Sequence, residues 1–215
     1  MAVIALVRYL AVDVLRSQRY LPPLLLHCAV LGMMFSGDAG EALFAYAGSC
    51  ALIYPVAAWF GVVVATTEDP TQRAVTAVTA GGWGRVASAQ AVLGAVGTVV
   101  LAVVATVWPV FTNPHPYTLG VVGLGFAAHL VCGLTGVAVG MLCSRPVIVR
   151  TGPSLLAVVA IVALTFKFGG GTPVGAMLGG LAHRDLAGLP VAGGAAVLLV
   201  VVAAVAVWRL GPRRA

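Results

Sequence analysis

Four histidines, four cysteines and six carboxylates are the acid–base, nucleophilic and metal-ligating side chains of these 215 residues. His129 and Cys132 stand three apart, on one helix face if the run around them is helical, and His27-Cys28 lie together in an earlier apolar run. Imidazole and thiolate are the ingredients of a metal or haem site. No H-x-x-x-H or C-x-x-C pattern joins them, and cysteine in an apolar run packs as a small hydrophobe. A lone membrane histidine more often makes an interhelical hydrogen bond than carries protons. No cofactor and no metal site is therefore expected. Serine and histidine show no spacing that argues for a hydrolytic triad.

The carboxylates Asp13, Asp38, Glu41, Glu68, Asp69 and Asp185 all fall outside the apolar runs. Ion-coupled transporters place an ionisable residue within the bilayer. This chain is a poor fit to that mechanism. Its single lysine, Lys167, is preceded by Thr165-Phe166, so a G-x-x-x-x-G-K-[ST] phosphate loop cannot be written. The sequence reads as a non-enzyme, and any ATP-driven step needs a separate chain.

The elements around these residues are membrane elements. With 61% hydrophobic and 8% charged residues, the chain lacks the charge to cover a water-facing surface. The apolar runs predict an all-α membrane protein with six transmembrane helices at about 22–36, 42–66, 86–108, 118–143, 153–168 and 190–209 in one transmembrane domain, 1–215. Ten of twelve basic residues then fall on one side: Arg8, Arg16, Arg19, Arg73, Arg85, Arg145, Arg150, Arg209, Arg213 and Arg214. Basic residues near span ends stay cytoplasmic, which puts both termini inside. The net charge of +6 follows from that bias and from attraction to anionic lipid, not from nucleic-acid binding. MAVIALV is interrupted by Arg8 and Asp13 with no small-residue cleavage site after it, so no cleavable signal peptide is expected. Arginine dominating lysine, with abundant Ala, Val and Gly, suggests a GC-rich bacterial genome and hence a bacterial plasma membrane.

Residues 3–19 carry Arg8, Arg16 and Arg19 on one side of a helical wheel, with Asp13 toward its margin. Val3, Leu6, Val7, Leu10 and Val14 share the other side, which predicts a cytoplasmic interfacial helix ending at a Leu21-Pro22-Pro23 break. Between the second and third spans, Asp69-Pro70 with Gln72 forms a D-x-x-Q capping box. A helix over about 70–79 follows, stopped by Gly81-Gly82. Its Glu68, Asp69, Gln72 and Arg73 are expected to be an exposed polar tip. Gly133, Gly136 and Gly140 give the fourth span a close-packing face, which could serve dimerisation. The 169–189 connection holds an apolar patch, Val174 to Ala182, too short to cross. It predicts an outer re-entrant segment flanked by Lys167 and Arg184, the two basic residues on the far side.

In this arrangement the chain resembles an ABC-2 type transporter permease, the transmembrane subunit of a bacterial ABC exporter. The resemblance rests on the interfacial helix, the short helix after the second span, the outer segment between spans five and six, and the stretch LRSQRYLPPLLL. It implies an ATP-binding subunit docking on Arg8, Asp13, Arg16 and Arg19 and on Glu68, Asp69, Gln72 and Arg73. It also implies a second permease copy or sister permease, and export of an amphipathic or lipid-like molecule past an outer gate at Lys167 and Arg184. The alternative is an ATP-independent membrane protein: a haem- or metal-handling component using His27, His129 and Cys132, a passive carrier, or a structural subunit.

Overall fold

The computed structural model describes residues 3–148 and 150–214, and every regular element among them is helical. The order is α1 (Val3–Ser17), α2 (Leu21–Met34), α3 (Ala42–Thr66), α4 (Pro70–Ala80), α5 (Trp83–Thr112), α6 (Leu119–Leu142), α7 (Thr151–Phe168), α8 (Pro173–His183) and α9 (Leu189–Arg214). A single 3₁₀ turn, Gly169–Gly171, links α7 to α8.

Five of these helices, α3, α5, α6, α7 and α9, are long and apolar enough to cross a membrane. The six-span expectation is therefore met in five elements. The remaining candidate, α2, has 14 residues, which at the helical rise is ~21 Å against a hydrocarbon core of ~30 Å. The break before it also lies elsewhere than expected. The chain turns at Gln18, whose φ of 56° is left-handed, and Pro22 and Pro23 open α2 from its first turn. Proline there loses no helical bond, because the first amides of a helix have no intrahelical acceptor.

The centre of the bundle is the α3–α6 pair, which meets backbone to backbone. A Cβ at Gly136 would run into the Tyr54 carbonyl oxygen, and one at Gly140 into that of Ala58. From the other side, a Cβ at Gly61 would lie 2.8 Å from the Val137 carbonyl oxygen. The glycine face expected to serve dimerisation is thus used inside the monomer, where small residues let two helix axes approach. α5 and α9 pack on the remaining sides of α6. Tyr46, Ile53, Val137, Met141 and Met177 are among the residues buried in this core.

α7 is the loosest element, with 11% of its apolar window buried, and α9 follows at 22%. Both present most of their surface outward, as helices facing lipid do. α5 runs through Pro109 to Thr112 and does not stop at Trp108-Pro109. α9 likewise continues through Pro212.

The two ends of the bundle differ. Loop 35–41 and loop 113–118 meet at one end, where Asn113 Oδ1 accepts from Ala39 N and Asn113 Nδ2 donates to the Gly40 carbonyl and the Tyr117 hydroxyl. α8 sits at that end, its Val174, Met177 and Leu181 buried in the main core. α1, α4, the 143–148 turn and the C-terminal half of α9 gather at the opposite end. Trp83 and Trp208 lie there against Gly211 and Gly84.

Candidate functional site

α4 is formed by local chemistry. Asp69 accepts from Gln72 N at 2.8 Å, Pro70 occupies the first turn, and Gly81 at φ 85° ends the helix. Gly82 N donates to the Ala77 carbonyl at 2.8 Å, the i+5 closure of a glycine C-cap. Only half of the expected capping box forms through side chains. Gln72 Nε2 donates instead to the Tyr9 hydroxyl at 2.8 Å, bonding α4 to α1.

Glu68 and Arg73 are not an exposed tip, as each is 5% exposed. Glu68 Oε1 accepts from Thr76 Oγ1 at 2.6 Å. Arg73 donates to the Ala65 carbonyl at 2.6 Å and to the Arg145 carbonyl at 3.3 Å. Helix ends leave carbonyls without donors, and Arg73 supplies donors to the end of α3 and to the turn after α6. Burial pulls its guanidinium below the ordinary value, while the Glu68 carboxylate acts in the opposite direction. The guanidinium stays charged. These two residues anchor the α3–α4 corner, while Asp69 and Gln72 stay on the surface.

α1 lies beside this corner. Leu6, Leu10 and Val14 pack with Val63 and Val64 of α3, Ala77 and Ala80 of α4, and Val86 and Leu93 of α5. The stripe expected to face lipid therefore faces protein. Ile4, Val12 and Leu15 remain exposed on other sides of the helix. Arg8 and Arg16 are exposed, and Arg19, also exposed, donates to the Thr66 carbonyl at 3.1 Å. Asp13 is half-buried, with one oxygen lacking a protein partner.

Between α1 and α4 runs a groove of about 510 Å³, lined by Leu6, Tyr9, Asp69, Gln72, Val75 and Thr79 among others. Val75 is 59% exposed and Val78, one turn on, is 81% exposed. Neither valine was singled out in the sequence, nor was Tyr9. The available signal was the i, i+3 spacing of the valines on a strongly capped helix whose other side carries Arg73, Ala77 and Ala80. The assembled corner is a rigid surface with polar walls and an apolar ridge.

At the other end, Arg184 pairs with Glu41 and so fastens the C-terminus of α8 to the start of α3. His115 Nε2 and Asp38 Oδ1 lie 2.9 Å apart and fasten the two loops. The Gly40 amide and then His115 hold the Asp38 carboxyl below its ordinary value. Lys167 lies over the Phe168 ring at 5.3 Å. Thus, among the described residues, Lys167 and Arg184 each have a partner of their own.

Mid-bundle, His129 Nδ1 lies 2.6 Å from the Gly125 carbonyl and Nε2 lies 2.8 Å from Ser49 Oγ. A carbonyl only accepts, so Nδ1 carries the proton and Nε2 of the neutral ring accepts from Ser49. This is an interhelical bond between α3 and α6. His27 Nε2 lies 3.3 Å from the Leu101 carbonyl. Cys132 meets Cys50 of α3, both as free thiols. Among the described residues, no three His, Cys, Asp or Glu side chains gather to hold a metal ion.

No family model, curated protein or solved structure matches this chain.

Proposed function

We propose that this chain is the permease subunit of an ABC-2 type exporter. In this reading it couples ATP hydrolysis by a separate nucleotide-binding subunit to export of an amphipathic or lipid-like molecule across a bacterial plasma membrane. α2 joins the five long helices as a sixth crossing, tilted neighbours and local bilayer thinning accommodating its length. The basic end of the bundle is cytoplasmic by the inside bias of arginine, with both termini there. α8 is the outer re-entrant segment, and a second permease completes the pathway.

The observation that carries the reading is the α1–α4 corner. Val75 and Val78 form an exposed apolar ridge on a helix outside the long spans, capped at both ends and bonded to α1. Exposed apolar ridges with polar rims are what partner surfaces look like. Tyr9, Asp69, Gln72, Val75 and Val78 are the docking face in this reading, with Arg8, Arg16 and Arg19 at its margin. Glu68 and Arg73 act through position, by holding the corner. Arg184, through Glu41, is the catch of the outer gate, and Lys167 marks its other flank.

The test uses the ATPase encoded beside this gene. Val75→Asp with Val78→Asp should abolish its co-purification and the permease-dependent part of its ATP turnover, while the thermal midpoint of the permease holds. Unchanged co-purification and turnover would sink the docking assignment.

A further inference from the structure

A second groove, of about 290 Å³, opens on the opposite flank of α1. Leu15 and Tyr20 form its wall at the α1 end, Leu24 comes from α2, Phe60 from α3, and Val96 and Val100 from α5. Gly97 makes the floor possible: a Cβ there would run into the Phe60 ring. The lining runs along α5 from Leu93 to Leu101, a rise of ~12 Å. Apart from the Tyr20 hydroxyl, its side chains are apolar.

The mouth is charged. Ala11 and Leu15 line the groove, and Arg8 stands three residues before Ala11 on the same helix. That spacing puts the Arg8 guanidinium on the groove-facing stripe, while Arg19 lies past the helix end and donates to the Thr66 carbonyl. Arg8, Arg16 and Arg19 are exposed, and the single acid of α1, Asp13, is half-buried. An apolar slot with a cationic rim matches a molecule that has a tail and an anionic head.

We infer that this groove is a binding site for one anionic phospholipid, an acyl chain lying along α5 beneath α1 and the phosphate meeting Arg8. A bound lipid there wedges α1 against α2, α3 and α5, and so sets the position of the helix that carries Tyr9. The inference rests on membrane embedding and not on motor docking, and its test contains no ATPase.

Native mass spectrometry of the purified full chain, titrated with phosphatidylglycerol, phosphatidylcholine or glycerol phosphate, reads occupancy directly. Phosphatidylglycerol is expected to bind in preference to phosphatidylcholine, and glycerol phosphate should not displace it. Arg8→Gln should lower that preference about fivefold while leaving phosphatidylcholine binding unchanged. Val100→Trp and, from the facing wall, Leu15→Trp fill the slot without touching the arginines, and each should empty it of both lipids. Val100 and Leu15 are 53% and 57% exposed, so either indole has room to be accommodated. Equal binding of the two lipids would overturn the inference. So would displacement by glycerol phosphate, or full phosphatidylglycerol occupancy in both tryptophan variants.

Discussion

The Gln72 side-chain amide and the Tyr9 hydroxyl, 63 residues apart, meet at 2.8 Å, and that bond closes α1 onto α4. It lies at the surface, so its net contribution to stability is about 1 kcal/mol or less. Its value is geometric: it fixes the wall of a groove lined by Val75, beside the exposed Val78. Beneath it, Arg73 ties the same corner to the end of α3 and to the turn after α6, and Glu68 accepts from Thr76 through a buried bond. The surface bond sets the shape of the corner, and the buried bonds keep it in place.

Removing the anchor should therefore cost far more than removing the surface bond. Arg73→Ala takes donors from the Ala65 and Arg145 carbonyls and leaves Glu68 buried without its compensating charge. Leaving a buried acceptor without its donor costs about 1–3 kcal/mol. Arg73→Ala should lower the thermal midpoint sharply and open the 66–85 segment to proteases. Gln72→Ala should do neither. Equal melting curves for the two variants would remove Arg73 from the anchor role.

The α3–α6 contact makes a prediction about glycine. Gly140→Ala puts a Cβ against the Ala58 carbonyl and 2.9 Å from Val62 N. Both are backbone atoms that cannot rotate away, so overpacking should cost about 1–3 kcal/mol. Gly120→Ala on the same helix meets open space, and alanine suits a helix better than glycine. It should be neutral or stabilising. Thermal unfolding in detergent compares the two, and a tolerated Gly140→Ala would mean that the helices are not this close.

The contact between loops 35–41 and 113–118 should respond to acid. The Gly40 amide and His115 hold the Asp38 carboxyl below its ordinary value. A folded-state pKa that is depressed gives stability present above the unfolded value, near ~3.9, and lost as pH falls through the folded one. The tie between loops 35–41 and 113–118 should thus hold at neutral pH and release only below the usual carboxylate range. Hydrogen exchange at the Gly40 amide reports this locally. Asp38→Asn should remove the acid step, and an unaltered pH profile in that variant would contradict the assignment.

What could be read in the sequence divides by the range of the interactions. The α4 cap was legible because Asp69, Pro70 and Gly81 act within one turn of themselves. The glycine face of α6 was legible as a close-packing surface. Its partner was not, because nothing in Gly136 or Gly140 distinguishes α3 from a second copy. Glu68 and Arg73 read as surface charge because the Arg145 carbonyl that buries Arg73 lies 72 residues away. Ser49 stands 80 residues from His129, so the histidine was visible and its bond was not. The left-handed Gln18 escaped notice because neighbouring prolines gave a louder signal and prolines can start a helix as well as end one.

The most direct measurement is the affinity of the purified neighbouring ATPase for this chain in nanodiscs, with wild type and Val78→Asp compared by biolayer interferometry. A central apolar anchor is worth ~2 kcal/mol or more, so Val78→Asp should weaken binding at least about thirtyfold while melting at the wild-type temperature. Gly120→Ala should bind as wild type does. An unchanged affinity in a Val78→Asp protein that melts normally would contradict docking at the α1–α4 corner.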